Sequence, residues 1–551
     1  MPEILRRNFL LSGLALLAPR TSLAATARID ILPDEPIGTI SPNIYGHFTE
    51  HLGGCIYDGI WVGENSKIAN VGGIRKELID NLKRLKPPII RWPGGCFADS
   101  YNWRDGVGPR GGRPKRTNFW ANTPYLEKAP DGPQKYEPNE FGTNEFARFC
   151  KAVGAEPYFA ANLRALNPYD FYEWIEYCNS PAGTTSGAEL RAEGGDREPF
   201  PVKFWGVGNE SWGCGGSFTG DEYAVEFRRF TEWVPEFGID LKFIASGPNV
   251  ADYAWTQSFF QKLTEKSKGP LKRVFGTALH YYCGTTGNGQ STSFDEAGWY
   301  KLLHNASYME ELVRNHWAIM GEVDTERRVK LVVDEWGAWH KTDPSIDPRY
   351  LFAYYPTLRD ALVSGITLDI FNRHADKVTM ASAAQLVNNI HTSFIAVGDR
   401  FTVTPVFHVF EMYAAHQRGI AVRTSISAGP LSGIPAETEP DDRDVPVTGS
   451  APATPLASLS GSCSIHGKIA VLTVVNPDLK NEQETEIAIR GVKIQSVKAT
   501  VLTAPDMHAH NTLDQPHALE PKMDGSVGGG GSPLVYRFKP ASVTRLDLVF
   551  G

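Results

Sequence analysis

Residues 202–210 read VKFWGVGNE: an apolar run of strand length that stops at Asn209-Glu210. A second run, VKLVVDEWG at 329–337, has the same form and carries Asp334-Glu335 at its end. Both are too short for a helix and rich in residues that suit a buried strand. Six further runs resemble them: 43–48 (NIYGHF), 88–91 (PIIR), 157–161 (PYFAA), 242–245 (KFIA), 274–280 (VFGTALH) and 366–371 (ITLDIF). Helical patterns lie between them. In 74–85 (IRKELIDNLKRL), Ile74, Leu78, Leu82 and Leu85 fall on one face. Strands alternating with amphipathic helices specify a parallel sheet. Eight such units predict an α/β chain built on a closed (β/α)8 barrel, with an open sheet as the alternative.

The texture changes beyond the barrel. After about residue 401 helical patterns fade and alternating strands appear, as in 468–475 (KIAVLTVV), 484–489 and 544–549. This predicts a C-terminal β-sandwich over 401–551 that also takes an N-terminal strand from 25–40, with the barrel spanning 41–400. Residues 436–455 and 527–533 (VGGGGSP) have the Pro, Gly and Ser content of loops. At the N-terminus Arg6-Arg7 precede a short apolar run ending at Ala24-Ala25. That is the pattern of a signal peptide over 1–24, of twin-arginine type, and predicts export to the periplasm or beyond. No other segment has the length and apolarity to cross a membrane. The net charge of -8, without a basic block, argues against nucleic acid as a partner. The seven cysteines form no CxxC pair, and there is no HExxH, so neither a disulfide framework nor a metal site is expected.

In a barrel of this kind, reacting groups sit at the C-terminal ends of strands. Reading the polar residue at each end gives Glu50, Arg91, Asn162, Asn209-Glu210, Asn249, His280 with Tyr282, Asp334-Glu335 and Asn372. Cleavage of a glycosidic bond needs two carboxylates, one to protonate the departing oxygen and one to attack or to guide water. Glu210 and Glu335 would project from strands four and seven, across the barrel mouth. Asn209 could bond a sugar hydroxyl, Arg91 could hold a carboxylate ionised, and His280 or Tyr282 could orient the nucleophile. Asp334 competes with Glu335, but strand alternation would turn it to the other face.

Longer motifs sharpen this. GHFTEHLGGCIYDGIWV (46–62), IIRWPGGCFADSYNWRDGVGPRGGRP (89–114), WGVGNESWGCGG (205–216), HYY (280–282) and VVDEWGAWH (332–340) resemble the α-L-arabinofuranosidases of glycoside hydrolase family 51, in order, over 37–417. The resemblance implies a barrel with a β-sandwich and no cofactor. It implies retaining hydrolysis of terminal arabinofuranosyl groups from arabinan, arabinoxylan and derived oligosaccharides, commonly by an oligomer. Glu210 then matches the acid/base and Glu335 the nucleophile. Glu50, Arg91, Asn209, His280, Tyr282 and Gln385 match pocket residues. Cys96 stands where many members carry Asn, a stronger hydrogen-bonding partner. The alternatives are β-xylosidase or endo-β-glucanase chemistry on the same pair, or a sugar-binding protein that has lost catalysis.

Overall fold

Eight parallel strands close into one barrel: Gly46–Phe48, Ile89–Trp92, Glu156–Ala161, Phe204–Val207, Lys242–Ala245, Val274–Tyr282, Lys330–Gly337 and Val378–Ala383. Each pairs with its neighbours in chain order, and the eighth pairs with the first. The computed structural model describes residues 27–122, 134–283, 289–347, 349–431, 454–526, 530–531 and 533–551. The expected signal segment at 1–24 and most of the expected loops at 436–455 and 527–533 lie outside the described residues. The barrel is filled by inward side chains from alternate positions, among them Ile89, Tyr158, Phe204, Ile244, Val332 and Met380. A larger core lies between the strands and the surrounding helices.

Seven of the expected strands fall on barrel strands, but the run at 366–371 does not. It is the centre of the helix Leu358–Arg373, and the eighth strand is Val378–Ala383. The reason is burial on all sides. Every residue from Leu358 to Asn372 is buried, so the helix shows no polar stripe. One side meets the barrel, where Phe371 packs edge-on against Trp336. The other meets the second domain so closely that a Cβ on Gly365 would lie 2.7 Å from Val475. Asn372, expected at the barrel mouth, instead accepts from Tyr45 and donates to Ser462 at this domain junction.

The second domain is a nine-stranded sheet. The N-terminal strand Ala27–Thr39 lies within it, antiparallel to Ile420–Ser427 and parallel to Gln483–Ile489. The sheet encloses a core of its own, with Ile29, Ile31, Leu472, Ile487, Phe538 and Leu546 inside. The expected barrel with a C-terminal β-domain that recruits the first strand is therefore the observed architecture.

Asp369 fixes the junction of the two domains. Its buried carboxylate accepts from Ser462 and Thr473 at 2.6 Å and from Tyr413 at 2.9 Å. Asp369→Ala leaves the Tyr413 hydroxyl without its acceptor and Ser462 and Thr473 sharing one hydrogen bond between them, so one to two hydroxyl protons go unpaired at ~1–3 kcal/mol each. The expected outcome is a loss of roughly 2–4 kcal/mol in urea unfolding followed by Trp fluorescence. Turnover per folded molecule should be unchanged, because the cluster lies far from the barrel mouth.

Candidate functional site

The barrel mouth gathers side chains from six strand ends. Glu50 follows the first strand, Arg91 lies in the second, and Asn209 and Glu210 follow the fourth. His280 and Tyr282 end the sixth, Asp334 and Glu335 lie in the seventh, and Gln385 follows the true eighth.

A bulge arms the seventh strand. Val332 pairs with Ala278, whereas Glu335 pairs with His280, so this strand carries one residue more than its partner. Simple alternation would turn Asp334 away from Glu335. The bulge breaks that alternation, and both carboxylates join one network, contrary to the expectation for Asp334. Asp334 accepts from Tyr158 at 2.7 Å and from His280 Nε2 at 3.0 Å, and lies 3.4 Å from Arg91 Nε.

Arg91 sits at the centre, 1% exposed. Its Nη1 donates to Glu335 Oε1 at 2.7 Å and its Nη2 to Asn209 Oδ1 at 2.6 Å. Burial opposes its charge, but Asp334 and Glu335 outweigh burial and hold the guanidinium above its ordinary range. Tyr282 donates its hydroxyl to Glu335 Oε2 at 3.0 Å. Burial pushes the Glu335 carboxyl up, while His280 and Arg91 pull it down and the nearby Glu210 adds to the rise.

His280 bridges the carboxylates. Its Nδ1 lies 3.0 Å from Glu210 Oε1 and its Nε2 3.0 Å from Asp334 Oδ1. Burial alone would depress its pKa, but Glu335 and Asp334 overcome that and raise it to about 10. Near neutral pH the ring is therefore an imidazolium donating from both nitrogens. Glu210 has the most open side chain of the four acids, at 19% exposure, and its φ of 37° is in the left-handed region. That conformation is unfavourable for a non-glycine residue by about 1 kcal/mol and is held here by the turn that follows. Gly213 and Gly215 both donate backbone N–H groups to the Glu210 carbonyl.

Glu50 forms the far wall. It accepts from the Phe97 N–H, Trp120 Nε1 and Gln385 Nε2 at 2.9–3.2 Å. Burial and the charge of Glu335 raise its pKa to about 7. Gly95 lets the backbone pass between the acids: a Cβ there would lie 3.1 Å from Glu335 and 3.2 Å from Glu50.

Cys96 departs from its expected state. It is not a free thiol but is joined to Cys214 in a disulfide. The dispersed cysteines thus do form a bridge, across 118 residues, because the barrel brings the loops after strands two and four together. The other described cysteines are free and buried.

Asp99, Trp120 and Cys214 also belong to the site, beyond the set read from sequence. Buried Asp99 accepts from the N–H groups of Leu163, Arg164 and Asn209, pinning the loops after strands three and four. Its sequence signal was only its place within a quoted motif. Asn162 likewise ties two loops, donating to Tyr101 O in the loop after strand two and accepting from the Ala165 N–H in its own.

Among the described residues two overlapping trios could offer donor atoms to a metal: Cys96, Glu210 and Cys214, and Glu210, His280 and Glu335. In the first the sulfurs are bonded to one another; in the second both ring nitrogens are engaged. A cavity of about 720 Å³ lies at the opposite end of strands three and four, and its lining includes two ion pairs, Arg148 with Asp196 and Lys203 with Glu156.

Comparison with known proteins agrees with this geometry. Residues 81–295 match the α-L-arabinofuranosidase 1 domain, and residues 334–542 match the α-L-arabinofuranosidase C-terminal domain. An intracellular exo-α-L-arabinofuranosidase of Bacteroides ovatus is 33% identical over 98% of this chain and 99% of its own. An intracellular exo-α-(1→5)-L-arabinofuranosidase of Bacillus subtilis is 29% identical over 94% and 97%. Among solved structures, the family 51 arabinofuranosidase of Xanthomonas axonopodis pv. citri superposes with a TM-score of 0.84 at 33% identity, covering 95% of this chain and 100% of that one. An arabinose complex of the Thermotoga maritima α-L-arabinofuranosidase gives 0.78 at 29% identity, with 95% and 100% coverage. These relatives also correct the expectation of export, since two that match nearly the whole chain are named as intracellular. Barrel, carboxylate cluster and full-length likeness converge, and the chain belongs to the α-L-arabinofuranosidases of glycoside hydrolase family 51.

Proposed function

We propose that this chain is a retaining, exo-acting α-L-arabinofuranosidase in which Glu335 is the nucleophile and Glu210 the acid/base. The observation that carries this reading is spacing. A carboxylate oxygen of Glu210 and one of Glu335 lie within 4.8 Å of each other. Retaining enzymes place the two groups ~5–5.5 Å apart, and inverting enzymes ~6.5–9.5 Å apart to admit a water.

The unequal surroundings assign the roles. Glu335 is buried and held by Arg91 and Tyr282, which suits a carboxylate that must attack along one line. Its oxygen forms a bond to the anomeric carbon as the bond to the leaving oxygen breaks. Glu210, the more open acid, gives its proton to that oxygen. In the second half Glu210 takes a proton from water, the water oxygen bonds to the anomeric carbon, and Glu335 is released. Glu50 and Gln385 form a polar wall for the sugar hydroxyls. Relatives named as exo-α-L-arabinofuranosidases support terminal α-L-arabinofuranosyl groups as the substrate, and arabinan, arabinoxylan and their oligosaccharides are the proposed carriers of those groups.

A panel of aryl glycosides tests the sugar. The α-L-arabinofuranoside should be cleaved, and the β-xyloside and β-glucoside should be poor substrates. Dominant cleavage of either of the latter, with the arabinofuranoside untouched, would contradict the reading. Glu335→Gln should abolish turnover. Glu210→Ala should lower kcat for unactivated substrates by roughly 10²–10⁴-fold, with azide restoring rate on activated ones.

His280 supplies a pH test. Its positive charge pulls the Glu335 carboxyl down. His280→Gln removes that pull, so Glu335 should take up its proton at higher pH and the acid limb of kcat/KM should move up by roughly one pH unit. An acid limb that stays in place would show that the imidazolium does not act on the nucleophile.

A further inference from the structure

The two sulfur atoms of the Cys96–Cys214 disulfide lie beside the acid/base carboxylate. Cys96 Sγ is 3.7 Å and Cys214 Sγ 3.6 Å from Glu210 Oε2. His280 holds the other oxygen, Oε1, at 3.0 Å. The bridge therefore flanks the Glu210 oxygen that His280 leaves free.

Three features make this more than a crosslink. First, the bridge ties the loop after strand two to the turn after strand four, and that turn is the one that holds Glu210 at its positive φ. Cys214 lies between Gly213 and Gly215, whose N–H groups both bond the Glu210 carbonyl. Second, Asn209 Nδ2 lies 3.7 Å from Cys214 Sγ, so the same sulfur borders the neighbouring amide that Arg91 orients. Third, a disulfide has no proton to donate. It presents Oε2 with a polarisable surface that leaves this oxygen free to carry the proton for the leaving group. Two thiols at the same place would offer S–H donors and favour the ionised carboxylate.

We propose that the Cys96–Cys214 disulfide is a positioning element for Glu210, so that proton donation to the leaving group depends on the oxidised state of this pair. The inference rests on the acid/base reading of Glu210 given above. A dithiol reductant would cleave the S–S bond, delivering two electrons and two protons, and itself close to a cyclic disulfide. The products at the site are two thiols and a turn no longer tied across the mouth.

Leaving-group dependence separates this role from simple stabilisation. A 2,4-dinitrophenyl arabinofuranoside needs no proton from the enzyme, whereas a phenyl arabinofuranoside does. Reduction of the folded wild-type enzyme with dithiothreitol should lower kcat/KM for the phenyl substrate roughly tenfold and leave the dinitrophenyl substrate within about twofold. Reoxidation should restore the first rate. Cys96→Ala/Cys214→Ala should show the same selective loss and no response to the reductant. Equal losses on both substrates, or no loss on either, would overturn the proposal. Glu210→Ala, run alongside, distinguishes the two levels. If it lacks the same leaving-group dependence, the acid/base assignment itself fails; if it shows the dependence and the reduced enzyme does not, only the role of the disulfide fails.

Discussion

A guanidinium, an imidazolium and two carboxylates share one nearly water-free volume at the barrel mouth: Arg91, His280, Asp334 and Glu335. Charges removed from water must be paired and hydrogen-bonded, because an isolated one costs several kcal/mol or more. Here each cation faces more than one acid. Arg91 reaches Glu335 and Asp334, and His280 reaches Asp334, Glu210 and Glu335. The arrangement tolerates burial only as a set. The bulge in the seventh strand, the Tyr158 hydroxyl beneath Asp334 and the glycine between Glu50 and Glu335 are all conditions for that set to close.

The same constraint separates the two glutamates chemically. Glu335 is enclosed by fixed donors and has little freedom. Glu210 is tethered through one oxygen and flanked by the disulfide at the other, on a turn in an unfavourable backbone conformation. On the proposed reading, two like side chains acquire unlike duties from their surroundings, a pattern in which environment, not residue type, sets acid and base roles. Among the described residues, the second domain adds no side chain to the network of Arg91, His280, Asp334 and Glu335; it covers the outer face of the helix Leu358–Arg373, whose inner face backs the seventh strand at Trp336.

Much of the barrel was legible because its strands are apolar runs that stop at polar residues, and the run at 242–245 coincides with a strand to the residue. The residues that end those runs, from Glu50 to Glu335, are brought to one mouth. Three features were not legible, each for a physical reason. A helix buried on all sides has no polar stripe, so 366–371 read as a strand. A bulge shifts the facing of side chains without leaving a mark in composition, so Asp334 was turned the wrong way. The partner of Cys96 lies 118 residues away and is set by loop geometry that no local spacing encodes. Gln385 was placed only by the family resemblance, since the strand it follows was misassigned.

The central claim is that two carboxylates at retaining distance perform a double displacement. Transfer to methanol tests it most directly, because a methyl glycoside does not mutarotate. With an aryl α-L-arabinofuranoside as donor, proton NMR of the methanolysis product should show methyl α-L-arabinofuranoside. The methyl β-L-anomer, or the absence of any transfer product alongside free arabinose of inverted configuration, would contradict the account.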